Sequence, residues 1–154
     1  MSKFAKSATV GSNTVKRAYF DANAVIYYIE QNQLHLPAMV SKMFGQAGEE
    51  LVCCVISDLV RLESRVQPLR KGQTDLLSRF DAFFMANQAH AVRLGTAVFD
   101  RATELRAQHG LKTPDALHLA AAIEAGCDEF WTNDLRLAKA AQGHLKIVTF
   151  ESNP

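Results

Sequence analysis

Apolar positions along the chain fall into short runs broken by polar or glycine-bearing segments, and their spacing alternates between strand-like and helix-like. Residues 17–21 (RAYFD) read as a short strand ending in an acid, and 22–31 as a helix blurred by its β-branched and aromatic residues. Pro37, at a first-turn position, opens a second helix to about Gly48. Residues 51–56 (LVCCVI) are an unbroken apolar run that suits a strand buried on both faces. Ser57 is a good N-cap, and the helix it opens runs to about Leu69, with Leu59, Leu62, Val66 and Leu69 as its inward stripe. After Gly72-Gln73 an amphipathic helix extends to Asn87, with Leu76, Leu77, Phe80, Phe83 and Phe84 as core candidates. Residues 90–94 form a weak strand, and 96–109 a helix stopped by Gly110. Thr113 as N-cap and Pro114 as first helical residue start a helix that runs to Gly126. Residues 129–132 are a strand, 135–141 a helix and 146–150 a last strand.

Strands alternating with helices, and no hairpin signal such as Asn-Gly, predict an α/β fold with a mostly parallel central sheet and helices on both faces. One domain is expected over 17–150, with 1–16 a flexible N-terminal extension and 151–154 a C-terminal tail. Ligands of such sheets bind at the carboxyl ends of the strands, near a switch in strand order.

Charge narrows the function classes. Lys and Arg number 17 against 16 Asp and Glu, so a general basic coat for nucleic acid is excluded and a local patch is not. Three cysteines, two of them adjacent at Cys53 and Cys54, make no disulfide framework, and no Cys/His grouping has zinc-site spacing. Residues 1–16 lack a secretory apolar region, and no apolar run can span a bilayer, so a soluble cytoplasmic protein with no membrane partner is expected.

The acids hold the candidate chemistry. Asp21 and Asp134 follow predicted strands, where an α/β sheet gathers its site, although either is equally explained as a helix N-cap. Glu63 shares a helix face with the apolar stripe, which is costly unless the carboxylate is paired, hydrogen-bonded or bound to metal. Asp115 sits in the first turn of its helix, where the dipole favours it, and His118 lies one turn on, within reach of a site acid. Two carboxylates about 4 Å apart repel by about 4 kcal/mol at an effective dielectric near 20, so four brought together need protons or cations. An oxygen-only site favours Mg²⁺ or Mn²⁺.

Four segments resemble the successive motifs of PIN domains, and more narrowly of VapC toxins of type II toxin–antitoxin systems: YFDANAVIYYIE (19–30), VISDLVRLESRVQPLRKG (55–72), GLKTPDALHLAAAIEAGC (110–127) and FWTNDLRLAK (130–139). The resemblance implies a three-layer α/β/α fold and a metal-dependent endoribonuclease whose acids are Asp21, Glu63, Asp115 and Asp134. It implies that Asp21, Asp115 and Asp134 hold Mg²⁺ or Mn²⁺ and that Glu63 completes the shell or holds a second ion through water. In-line attack by water would then leave a 5′-phosphate and a 3′-hydroxyl. Asn23, Thr132, Asn133 and His118 are the expected supporting groups. Ala22 stands where the family often has Thr or Ser, so the support of Asp21 must come from elsewhere. Arg61, Arg65, Arg70 and Lys71 are candidates for holding RNA phosphates, or else a solvated helix face. A VapB-like antitoxin and a homodimer are implied as partners, with Tyr27, Tyr28, Leu34 and Leu36 as candidate contact residues. Competing readings are a catalytically silent PIN-like binding module and a non-toxin PIN nuclease in RNA processing. A dehalogenase-like phosphatase is disfavoured because Asn23 stands where its second Asp would donate a proton. A receiver domain is disfavoured because no acidic pair precedes the end of the first strand here and no suitable Lys follows a late strand.

Overall fold

The structure, a computed structural model, describes residues 9–10 and 13–151. Five parallel strands form the central sheet: β1 (Lys16–Phe20), β2 (Val52–Ser57), β3 (Ala91–Val92), β4 (Glu129–Trp131) and β5 (Lys146–Val148). Their order is β3-β2-β1-β4-β5. The chain thus starts at the centre, builds outward in one direction through β2 and β3, and then crosses back to add β4 and β5 on the other side of β1. Seven α-helices occur among the described residues: α1 (Ala22–Ile29), α2 (Leu36–Met43), α3 (Asp58–Arg70), α4 (Thr74–Ala86), α5 (Thr96–His109), α6 (Thr113–Glu124) and α7 (Ala138–Ala141). Helices α1, α3 and α4 pack on one another, and α5 packs on α6 and α7. This is the three-layer α/β/α arrangement expected from the alternation.

β1 is the middle strand, and every residue of it after Lys16 is buried. Across the β1–β4 pair, Tyr19 lies opposite Phe130 and Phe20 opposite Trp131. Both pairs stack, with ring centroids 5.2 and 4.8 Å apart. Directly opposed aromatic pairs of this kind are among the stronger cross-strand contacts. Phe80 and Phe84 of α4 and Leu119 of α6 complete the core.

Several boundaries differ from expectation, each for a local reason. α2 stops at Met43, because Phe44 turns extended and bridges to Glu50. Lys112 rather than Thr113 caps α6, and Thr113 is already helical. Segment 135–141 is a short 3₁₀ turn, Leu135–Leu137, before α7. Of the expected flexible extension, Thr9–Val10 pairs antiparallel with Asn13–Thr14 and Lys16 already belongs to β1; the rest of 1–12, like 152–154, lies outside the described residues.

The expected inward stripe of α3 is corrected. Leu62 and Leu69 are 57% and 65% exposed, Val66 is exposed too, and the buried positions are Val60, Ser64 and Pro68. That spacing is also helical, but it is set by small residues that allow close approach rather than by bulk. Phe80→Ala should therefore lower unfolding free energy in urea by about 3–5 kcal/mol. Leu62→Ser and Leu69→Ser should each change it by no more than about 0.5 kcal/mol. A loss above about 2 kcal/mol for either leucine would show that the stripe is packed.

Candidate active site

Strand order reverses between β1 and β4, and the chain segments leaving these two strands lie side by side. The Asp21 N–H donates to the Trp131 carbonyl at 3.2 Å, which holds the ends of the two strands in register. One cavity of about 300 Å³ opens here, and all four candidate acids line it: Asp21, Glu63, Asp115 and Asp134. Asn23, His118, Thr132 and Arg136 share its wall.

Each acid reaches the cavity by an ordinary structural route. Asp21 is the N-cap of α1, its Oδ1 accepting from the Ala24 N–H at 2.8 Å. Asp134 caps the following 3₁₀ turn, accepting from the Arg136 N–H at 3.0 Å. Asp115 lies in the first turn of α6, and Glu63 projects from α3. The N-cap explanation holds for both Asp21 and Asp134, and capping also brings them to the cavity wall.

The hydroxyl missing at Ala22 is replaced across the sheet. Thr132 hydrogen-bonds the Asp21 carboxylate and accepts from the Asp134 N–H at 3.0 Å, so one buried side chain ties both acids. Burial raises the Asp21 carboxyl above its ordinary value. The bonds from Thr132 and Ala24 and the nearness of His118 oppose that shift, while the charge of Glu63 adds to it. Asp134 moves the other way, held low chiefly by its hydrogen bonds with Arg136. The Arg136 Nε lies 2.9 and 3.0 Å from the two carboxylate oxygens. Glu63 Oε1 meets His118 Nε2 at 2.6 Å.

The donor set fits a hard divalent cation: four carboxylates and no thiolate on one small cavity. Among the described residues, no three His, Cys, Asp or Glu side chains are gathered closely enough to form a ready metal cluster. Asp21, Glu63 and Asp134 are each turned toward protein groups of their own.

Other expected residues lie elsewhere. Asn133 Oδ1 accepts from the Phe150 N–H at 2.8 Å and braces the chain after β5 rather than the cavity. Arg65 Nε pairs with Asp81 of α4 at 2.7 Å, and Arg61 approaches the same carboxylate. Arg70 and Lys71 are exposed at the end of α3, and none of these four lines the cavity. The guanidinium that does line it, Arg136, was missed by sequence reasoning, as were Tyr19 and Ser57 behind His118. Tyr27 and Tyr28 are half-buried, against His35 and Phe83 respectively, while Leu34 is exposed. A larger cavity, about 650 Å³, lies at the opposite ends of the strands near Lys16, Glu129 and Lys146 and holds none of the four acids.

A model of the PIN domain matches residues 18–143. The chain belongs to the PIN-domain family. No curated protein matches it. Among solved structures it is similar to VapBC2 from Rickettsia felis bound to a DNA fragment from its promoter. That match has 17% identity and a TM-score of 0.66, and covers 88% of this chain and 99% of that one. It is also similar to a toxin–antitoxin complex from Klebsiella pneumoniae, at 20% identity and a TM-score of 0.61, covering 88% and 99%. PAE2754 from Pyrobaculum aerophilum matches at 15% identity and a TM-score of 0.54, covering 86% and 91%. At such identities the likeness is one of fold. No described helix is long and apolar enough to cross a membrane.

The raised Asp21 carboxyl gives a signed expectation. A carboxyl whose folded value lies above its unfolded one weakens the fold as pH rises through that interval, because the folded protein must then bury a charge. Asparagine caps a helix as well as aspartate. In chelator, Asp21→Asn should therefore melt above wild type at neutral pH, and the gap should narrow on acidification through the carboxylate range. Scanning fluorimetry across pH checks this, and a variant that melts lower throughout would contradict it.

Proposed function

We propose that the protein is a divalent-metal-dependent endoribonuclease and the toxin of a VapBC-type pair. The observation carrying the nuclease reading is that Asp21, Glu63, Asp115 and Asp134 line one cavity at the strand-order reversal of a PIN domain. Asp21, Asp115 and Asp134 would hold Mg²⁺ or Mn²⁺, with Glu63 completing the shell. Bound there, such an ion supplies a water of lowered pKa and polarises the phosphodiester.

The chain's own groups do the rest. Thr132 holds the Asp21 carboxylate and, through the Asp134 N–H, fixes the backbone that carries the second acid. His118 donates to Glu63 and orients it. Arg136 would have to yield Asp134 to a cation held there, and its exposed guanidinium would then be free to take a substrate phosphate. Arg70 and Lys71, exposed at the end of α3, serve the RNA backbone further out. RNA rather than DNA rests on the resemblance to VapC toxins, as does a cytoplasmic location.

The antitoxin and homodimer proposals draw support from the two toxin–antitoxin complexes among the structural neighbours. They also draw on the apolar residues left exposed at Leu34, Leu62 and Leu69. Light scattering should give twice the chain mass; a monomer at micromolar concentration would remove the dimer. The product of an adjacent small gene should abolish cleavage, and its absence or failure to inhibit would leave a nuclease of RNA processing.

Purified protein on total RNA should cleave with Mn²⁺ or Mg²⁺, stop in chelator, and leave 5′-phosphate ends. Asp115→Asn should slow cleavage by on the order of 100-fold. Arg136→Ala should tighten Mn²⁺ binding, read by calorimetry, while weakening RNA binding. Products with 2′,3′-cyclic phosphate, or cleavage that survives chelation, would overturn the mechanism. If Mn²⁺ neither binds nor raises the melting temperature, a silent binding module is the better reading.

A further inference from the structure

Behind Glu63 runs a buried chain of polar groups. Glu63 Oε1 lies 2.6 Å from His118 Nε2. His118 Nδ1 lies 2.8 Å from the Tyr19 hydroxyl, and that hydroxyl lies 2.8 Å from Ser57 Oγ. Ser57 Oγ in turn accepts from the Val60 N–H at the start of α3. Tyr19, Ser57 and His118 are 0%, 1% and 5% exposed, so solvent scarcely reaches them.

Proton counting gives the chain a direction. The backbone N–H of Val60 can only donate, so Ser57 Oγ accepts there and has its own proton to give. A tyrosine phenol carries its proton at neutral pH, so Tyr19 too has one proton to place. A carboxylate at the far end can only accept. One pattern uses every proton once: Val60 N–H to Ser57, Ser57 O–H to Tyr19, Tyr19 O–H to His118 Nδ1, His118 Nε2–H to Glu63. The reverse pattern would require Nδ1 to donate to Tyr19 and Tyr19 to donate to Ser57. Ser57 would then receive two protons and have no described acceptor for its own.

We infer that Tyr19 is a positioning residue that fixes His118 as the neutral Nε2–H tautomer, so that the imidazole donates to Glu63 and pins its carboxylate toward the cavity. The tautomer follows from the hydrogen-bond geometry alone; the value of pinning Glu63 for a cation rests on the nuclease reading above. Ser57 is the anchor of the chain, and it also caps α3, the helix that bears Glu63. Strand β1, the end of β2, α6 and α3 are thereby joined through side chains to one carboxylate.

Long-range ¹H–¹⁵N spectra of the histidines, with His118 assigned by His118→Gln, read the tautomer directly. Wild type should show a protonated Nε2 and a bare Nδ1. Tyr19→Phe deletes the proton aimed at Nδ1 and should populate the Nδ1–H form, while Ser57→Ala, which leaves that proton in place, should keep the wild-type pattern. By calorimetry Tyr19→Phe should weaken Mn²⁺ binding by about tenfold, the usual effect of losing a group that supports a ligand. A wild-type His118 protonated on Nδ1, alone or together with Nε2, would overturn the inference. So would a folded Tyr19→Phe protein with unchanged tautomer and unchanged Mn²⁺ affinity. Wild-type protein with the expected tautomer but no Mn²⁺ binding would uphold the chain and overturn the metal-dependent reading instead.

Discussion

Everything at the site depends on the pairing of β1 with β4. These strands are more than a hundred residues apart in the chain, yet they lie side by side at the point where strand order reverses. Their stacked aromatic pairs, Tyr19 on Phe130 and Phe20 on Trp131, fix the register. A slip of one residue would turn each side chain to the opposite face. It would also separate Asp21 from the Thr132 hydroxyl that ties it to Asp134.

Four carboxylates line one small cavity, yet among the described residues no three are gathered into a ready metal cluster. Each of three finds a different protein partner: a backbone amide and a threonine for Asp21, an imidazole for Glu63, a guanidinium for Asp134. These partners are not equivalent. The Thr132 and His118 side chains are buried, whereas the Arg136 side chain is mostly exposed. The cavity is therefore backed by core groups on one side and edged by a solvent-facing guanidinium on the other.

Much of this was legible in the chain. Acids after predicted strands and a Thr-Pro-Asp helix start named three of the cavity acids, because strand ends and helix starts are marked by local chemistry, whereas Glu63 was named from an apolar stripe that is largely exposed. The failures are equally physical. Leu62, Val66 and Leu69 are the bulkier stripe of α3, but Val60, Ser64 and Pro68 are the ones that fit against the interior; periodicity reveals that a helix has faces, not which one the core accepts. Tyr19 looked like one more apolar strand residue, and only the packing of α6 over β1 reveals that its hydroxyl has two partners. Arg136 sits two residues after Asp134 in a capped 3₁₀ turn, where neither the strand nor the α-helix period applies, so no regular pattern pointed to the pair. The basic residues grouped in sequence divide in space: Arg61 and Arg65 pair with Asp81, while Arg70 and Lys71 stay exposed, and none of the four lines the cavity.

The order in which the cavity residues occur along the chain has a consequence for synthesis. Asp21 and Glu63 come early, Asp115 late, and Asp134 follows β4, the strand that slots in beside the first one made. A ribosome-bound chain can form β1, β2 and their helices, yet its central strand keeps one edge open until β4 emerges. A chain shorter than 134 residues lacks the last of the four acids, and translation that halts before residue 129 releases a polypeptide whose central strand has no β4 beside it.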